Sequence, residues 1–119
     1  MADAALFIGW GEPICGREAK GLEVFAEALA YYARLQEAGQ IESSEAVLLE
    51  PHGGELSGFI LLRGSREQLD AAQATEEFER MTTRAGLVVQ NLGVVHAFIG
   101  AGLEQSMGTY HAAIGDIVG

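Results

Sequence analysis

Ala4 to Trp10 is an apolar run in which residues of both parities are hydrophobic, the pattern of a strand covered on both faces. It predicts a central position in a sheet. After Glu12-Pro13 a helical period runs from about Arg17 to Ala38. Leu22, Phe25, Ala26, Leu29 and Ala33 follow the spacing i, i+3, i+4, i+7, i+11 and form the expected core face. Val24, Ala28, Tyr31 and Leu35 make a second apolar stripe, with Glu23, Glu27, Arg34 and Glu37 in the solvent sector between. A helix with two apolar sides is expected to touch two things. Gly39 falls where a helix end needs a residue free to take positive φ.

The second strand, Glu42 to Glu50, is polar in its first half and apolar in its second, which suits a sheet edge. Pro51-His52-Gly53-Gly54 reads as the turn into a third strand, Leu56 to Arg63, apolar on both parities through Phe59, Ile60, Leu61 and Leu62. Ser65 with Gln68 resembles a capping box opening a second helix. Leu69 and Ala72 then share one face, whereas Ala71, Ala74, Phe78, Met81 and Ala85 lie roughly opposite on a continuous helix. A break near Thr75, between Ala72 and Glu77, resolves that conflict. Gly93 to Gly100 is the last strand, with Val95, Ala97 and Ile99 on one face and Val94, His96 and Phe98 on the other. Beyond it Leu103, Met107, Tyr110, Ile114 and Ile117 recur at spacings of three or four. They predict an amphipathic helix that Gly102, Gly108 and Gly115 weaken by about 1 kcal/mol each relative to Ala.

A βαββαβ order with right-handed crossovers predicts a ferredoxin-like α+β fold with a four-stranded antiparallel sheet. The first and third strands are central, the second and fourth are edges, and both main helices lie on one face. The chain reads as a single domain over residues 1–119, with a tail from about 101. The other sheet face is apolar and uncovered, which calls for a second copy and predicts a homodimer.

Seventeen acidic residues against seven basic ones give a net charge of -10, which disfavours nucleic acid and anionic membrane surfaces as partners. Lys20 is the single lysine, and the remaining cations are arginines suited to pairing with the many glutamates. Cys15 is the only cysteine, so neither an internal disulfide nor a cysteine zinc cluster is expected. No basic segment followed by a long apolar run opens the chain, and no stretch approaches the roughly 20 residues that span a bilayer. A cytoplasmic protein is the expectation.

His96, flanked by Val94 and Phe98 on an apolar strand, is the candidate acid/base group, expected on the open sheet face. Trp10 and Phe98 are candidate walls of a ligand cavity there, and Arg63 a candidate anchor for a carboxylate. The plainer readings are a core histidine satisfied by one hydrogen bond, ordinary packing and a surface ion pair. Tyr31 and Tyr32 are expected to pack with their hydroxyls at the rim. His52 and His111 lack neighbours at metal-ligand spacing, so no metal is expected. Gly9-Trp10-Gly11 is not continued as a phosphate loop, and no Gly-x-Ser-x-Gly elbow is present. Cys15 precedes a helix but has no histidine beside it in sequence.

Element order, the doubly apolar central strands and the broken second helix ending in Glu76-Glu77-Phe78 resemble the dimeric α+β barrel superfamily over about Ala4 to Gly100. Gly16-Arg17-Glu18 and Pro51-His52-Gly53-Gly54 resemble segments of bacterial members without assigned activity. Glu76-Glu77-Phe78 is distantly similar to the Asp-Pro-Phe of the YCII-related family, whose histidine near the first helix has no counterpart here. The resemblance implies two subunits packing their open sheet faces, and a pocket beside the sheet with no cofactor. Superfamily members include cofactor-free oxygenases, lactone isomerases and haem-degrading enzymes, so the fold by itself fixes no chemistry. Two functions remain. The preferred one is a homodimeric module that binds a small apolar molecule or acts as an accessory protein. The alternative is a cofactor-free oxygenase or isomerase of an apolar or aromatic metabolite, with His96 as acid/base and Trp10 and Arg63 positioning substrate.

Overall fold

The computed structural model describes residues 2–118. Its elements are β1 (Ala4–Trp10), α1 (Glu18–Glu37), β2 (Ser43–Leu48), β3 (Gly58–Gly64), α2 (Arg66–Gln73), α3 (Glu76–Gly86), β4 (Gly93–Phe98) and α4 (Gly100–Val118). The strands form one antiparallel sheet in the order β2-β3-β1-β4. The two strands with apolar residues at both parities are the inner pair, as a doubly covered strand requires. β2, with Ser43, Ser44 and Glu45, takes an edge.

Each break in the helices has a side-chain cause. Ser65 accepts a hydrogen bond from the Gln68 amide while the Gln68 side chain accepts one from the Ser65 amide, so a capping box opens α2. Thr75 Oγ1 accepts from the Phe78 amide at 3.2 Å and donates to the Ala72 carbonyl at 2.8 Å. It ends one helix and starts the next. The resulting bend turns Leu69 and Ala72 of α2 and Phe78 and Met81 of α3 into the same core. Glu76 and Glu77 sit in the first turn of α3, where the helix dipole favours them, and Glu77 also holds Arg34 at 2.9 Å. Gly39, at φ 76°, closes α1 in the left-handed region.

The buried face of α1 is not the one the longer apolar series suggests. Val24, Ala28, Tyr31, Tyr32 and Leu35 are buried, whereas Leu22 is 73% exposed and Leu29 is also exposed. Both stripes satisfy the helical period, and packing selects the one with the larger side chains. Tyr32 lies 5.3 Å from the Tyr31 ring and 6.4 Å from that of Phe78, bridging α1 to α3. Two phenol rings bury more area than the leucines they displace.

Strand register fixes the two faces of the sheet. Leu6, Ile8, Ile60, Leu62 and the half-buried Val94 pack with Val24, Ala28 and Tyr32 beneath the helices. Leu6 stands opposite Leu62 on one side and His96 on the other, so His96 also points to the helix side. That corrects the expectation of an open-face histidine. Phe7, Phe59, Leu61, Arg63, Val95 and Ala97 have the opposite parity. Phe7 stacks on Phe59 at 5.1 Å there, and Val95 is 58% exposed.

The predicted C-terminal helix is present as α4, and none of its residues is buried. Gly102 brings its start against the Asp3 backbone, where a Cβ would collide with the Asp3 carbonyl oxygen.

If the Thr75 hydroxyl is what separates α2 from α3, Thr75→Ala should lower stability by about 1 kcal/mol, the usual cost of losing an N-cap. Urea unfolding measures it, and an unchanged midpoint would mean that core packing alone sets the bend.

Candidate functional site

Trp10 ends β1 on the helix side, directly opposite Gly58. A Cβ at Gly58 would lie 2.9 Å from Trp10 Cζ2 and 2.8 Å from the Val47 carbonyl oxygen, so only glycine lets the indole lie across β3 there. The indole meets the Phe25 ring edge-on, with centroids 5.6 Å apart and planes at 60°. Around this pair the end of the sheet and the helices form an open-sided cavity of about 390 Å³. Its walls include Ile8, Trp10, Phe25, Tyr32, Ile60 and Met81. Small residues along the same lining, Gly21, Ala28 and Ala85, leave the space open.

Backbone hydrogen bonds hold the wall beside Trp10. The Gly11 amide donates to the Gln90 carbonyl at 2.7 Å, Ile14 to Val88 at 2.9 Å and Gln90 to Glu12 at 2.9 Å. The Arg17 guanidinium reaches the Leu87 carbonyl from the start of α1. The segment between β1 and α1 is thereby fastened to the segment between α3 and β4. Leu22 and Leu48, both largely exposed, stand at the cavity edge with Glu18. The leucine that the helical period assigns to the core is therefore a rim residue.

Residues with polar side chains are few in the lining: Ser57, Thr82, Tyr32 and Glu18. Burial, with a smaller contribution from neighbouring Tyr31, holds the Tyr32 phenol well above the ordinary tyrosine value. At neutral pH it is an un-ionised group able to donate a hydrogen bond, not a base. Such a cavity can hold and orient an apolar molecule, and it offers one charged group, at its edge.

The candidate residues from the sequence fall in three separate places. Trp10 is in the cavity wall, on the helix side. Arg63 lies on the open face, where Nη2 pairs with Glu45 Oε1 at 2.9 Å. His96 and Phe98 line a second groove, of about 690 Å³, between β4 and α4. His96 Nε2 lies 3.3 Å from Asp70 Oδ1, and its buried Nδ1 has no hydrogen-bond partner. Asp70 also binds Arg66 at 3.3 Å. His52 is a turn residue: Nδ1 accepts from the Gly54 amide at 3.2 Å, so Nε2 carries the proton and donates to the Leu56 carbonyl at 2.8 Å. Among the described residues no cluster of His, Cys, Asp or Glu could hold a metal. Phe25, Tyr32 and Met81 were not singled out as cavity residues by sequence. Only Gly58, an isolated glycine at the head of an apolar strand, carried a local signal of close approach.

No family model matches the sequence, and no curated protein is detectably similar to it. Solved structures are similar. A dimeric Bacteroides fragilis protein of unknown function with a ferredoxin-like fold superposes with a TM-score of 0.60 at 10% identity, over 81% of this chain and 96% of its own. A variant of SnoaB, a cofactor-independent oxygenase from Streptomyces nogalater, gives 0.56 at 17% identity, over 83% of this chain and 93% of its own. A hypothetical Arabidopsis thaliana protein gives 0.62 at 12% identity, over 84% and 90%. These likenesses show a ferredoxin-like α+β fold. Among the described residues no helix is long and apolar enough to cross a membrane.

The raised phenol sets a pH dependence. An unfolded chain releases the Tyr32 proton near the ordinary value of 10.0, whereas the folded chain retains it to higher pH. Its stabilising contribution is therefore complete below that value and is lost as pH rises further. Tyr32→Phe should flatten the fall in stability between about pH 10 and 11, measured by urea unfolding across that range; an identical slope in both proteins would contradict the assignment.

Proposed function

We propose that this chain is a homodimeric protein that binds a small apolar or aromatic molecule in the cavity beside Trp10. The cavity carries the reading. Its volume of about 390 Å³ falls within the range of small-molecule sites, and its lining combines apolar walls with a few hydroxyls. The Trp10 and Phe25 rings supply faces and edges for an aromatic ligand, and Tyr32 a hydrogen-bond donor. Glu18 at the edge, in a chain of net charge -10, disfavours anionic ligands.

Pairing of subunits is supported by the apolar open face, where Val95 is exposed and Phe7, Phe59 and Leu61 are only half-buried, and by the dimeric state of the similar Bacteroides fragilis protein. A cytoplasmic location fits the same reading. Kinship with YCII-related bacterial proteins is supported by Glu76-Glu77-Phe78, which start α3 with the two glutamates exposed and Phe78 in the core.

A cofactor-free oxygenase or isomerase of an apolar or aromatic metabolite is the alternative, supported by the likeness in fold to SnoaB. In that reading His96, oriented by Asp70, is the acid/base group, and the substrate lies near Phe98 in the β4–α4 groove. The binding reading is preferred because Trp10 and His96 line different spaces, and Arg63 is committed to Glu45.

Trp10 is the only tryptophan, so its emission reports occupancy directly. Titration with the neutral probe N-phenyl-1-naphthylamine should quench Trp10 as probe fluorescence rises. Ala85→Phe, which fills the cavity from α3, should weaken binding about tenfold or more, while His96→Ala leaves it unchanged. Binding that ignores Ala85→Phe would place the probe elsewhere and sink the proposal.

For the assembly, light scattering at micromolar concentration should read at least twice the chain mass of 12.6 kDa. Leu61→Lys with Val95→Lys should halve that reading. A monomeric unmodified chain would refute the homodimer.

A further inference from the structure

α4 carries an apolar series that its own subunit leaves exposed. Leu103, Met107, Tyr110, Ile114 and Ile117 are spaced 4, 3, 4 and 3 residues apart and are between 43% and 85% exposed. This alternation is the heptad spacing of a coiled-coil seam, narrower than the stripe of a helix lying on a globular core. With Leu103 at d, the a positions are Gly100, Met107 and Ile114 and the d positions Leu103, Tyr110 and Ile117. Gly108 and Gly115 fall at b and Gly102 at c, so no glycine interrupts the seam after the first turn.

We propose that α4 pairs along this seam with the α4 of a second copy of the chain. The spacing favours that occupant, because a heptad seam is complementary to another helix with the same repeat and here the second copy supplies one. Charge favours it too. Glu104 and Asp116 are the only acidic residues between 100 and 118, so two such helices meet with little repulsion although each chain carries -10. A lipid surface is the poorer fit, because interfacial helices carry Lys and Arg on the polar face and α4 has neither. The helix also needs a partner for its own persistence. It contains four glycines including Gly100, buries none of its residues, and makes its main contact with β4.

The seam is distinct from the open sheet face. Gln105, Ser106 and Thr109 of α4, with Tyr110 at the edge of the seam, line a groove with His96 and Phe98, which share the parity of the helix-covered side of β4. No α4 residue lines the Trp10 cavity, and substitutions in the seam leave the sheet face intact.

The full-length chain with Met107→Glu and Ile114→Glu should retain its thermal unfolding midpoint within a few degrees and its binding of N-phenyl-1-naphthylamine. The concentration at which the assembly half-dissociates in analytical ultracentrifugation should rise at least tenfold. In a Cys15→Ser background, cysteines placed singly at Met107, Tyr110 and Ile114 should include at least one that forms a disulfide-linked dimer under mild oxidation. Ala112→Cys, on the far side of the helix, should not. An unchanged dissociation profile overturns the proposal, as does seam cross-linking no faster than at Ala112. Co-sedimentation of the unmodified chain with phosphatidylcholine vesicles, lost in the Met107→Glu/Ile114→Glu variant while association is unchanged, would assign the seam to lipid and likewise overturn it.

Discussion

Successive side chains on a strand point to opposite faces, and β1 and β3 carry large apolar residues at both parities. The centre of the sheet therefore has to be covered twice. The helix layer covers Leu6, Ile8, Ile60 and Leu62, all nearly inaccessible to solvent. Phe7, Phe59 and Leu61 are left on the other side with only each other and the edge strands. The apolar area of that face stabilises nothing until something removes it from water.

On the covered side, packing is dense where the tyrosines sit and loose where Trp10 sits. Tyr31, Tyr32, Phe78 and Leu69 fill the space between α1 and the broken pair α2 and α3. Toward the other end of α1 the helix carries Gly21 in place of a larger residue, and the indole approaches β3 closely because Gly58 has no side chain there. Wall atoms facing an open apolar volume forfeit the dispersion contacts that close packing would supply. A ligand restores them.

Polar groups are arranged around this core rather than within it. Arginines pair with glutamates across elements, Arg84 with Glu27 and Arg34 with Glu77, which ties α3 to α1 at their surfaces. Such exposed pairs contribute little each. His96 belongs to this peripheral group: with Asp70 and Arg66 it joins β4 to α2 beside the α4 groove. Its remoteness from Trp10 follows from β4 being an edge strand while Trp10 ends the inner strand at the opposite end of the ladder.

Element order, the inner position of β1 and β3, the Ser65 capping box, the break at Thr75 and the glycine closing α1 are all legible in the sequence, because each depends on residues near one another in the chain. Periodicity also showed that α1 has two apolar stripes. It did not show which one faces the sheet, because Leu22 and Val24 satisfy the helical period equally and only the fit of Tyr31 and Tyr32 against α3 distinguishes them. The face of His96 had the same origin. Alternation along β4 separates Val94, His96 and Phe98 from Val95 and Ala97, but which set lies under the helices is decided by pairing with Leu6 and Ile8 of β1. The cavity was the least visible feature, since its walls come from β1, α1, β3, α3 and the turn before β4. Sequence determines which residues can share a face of one element; only the tertiary packing of those faces decides which meet across a space.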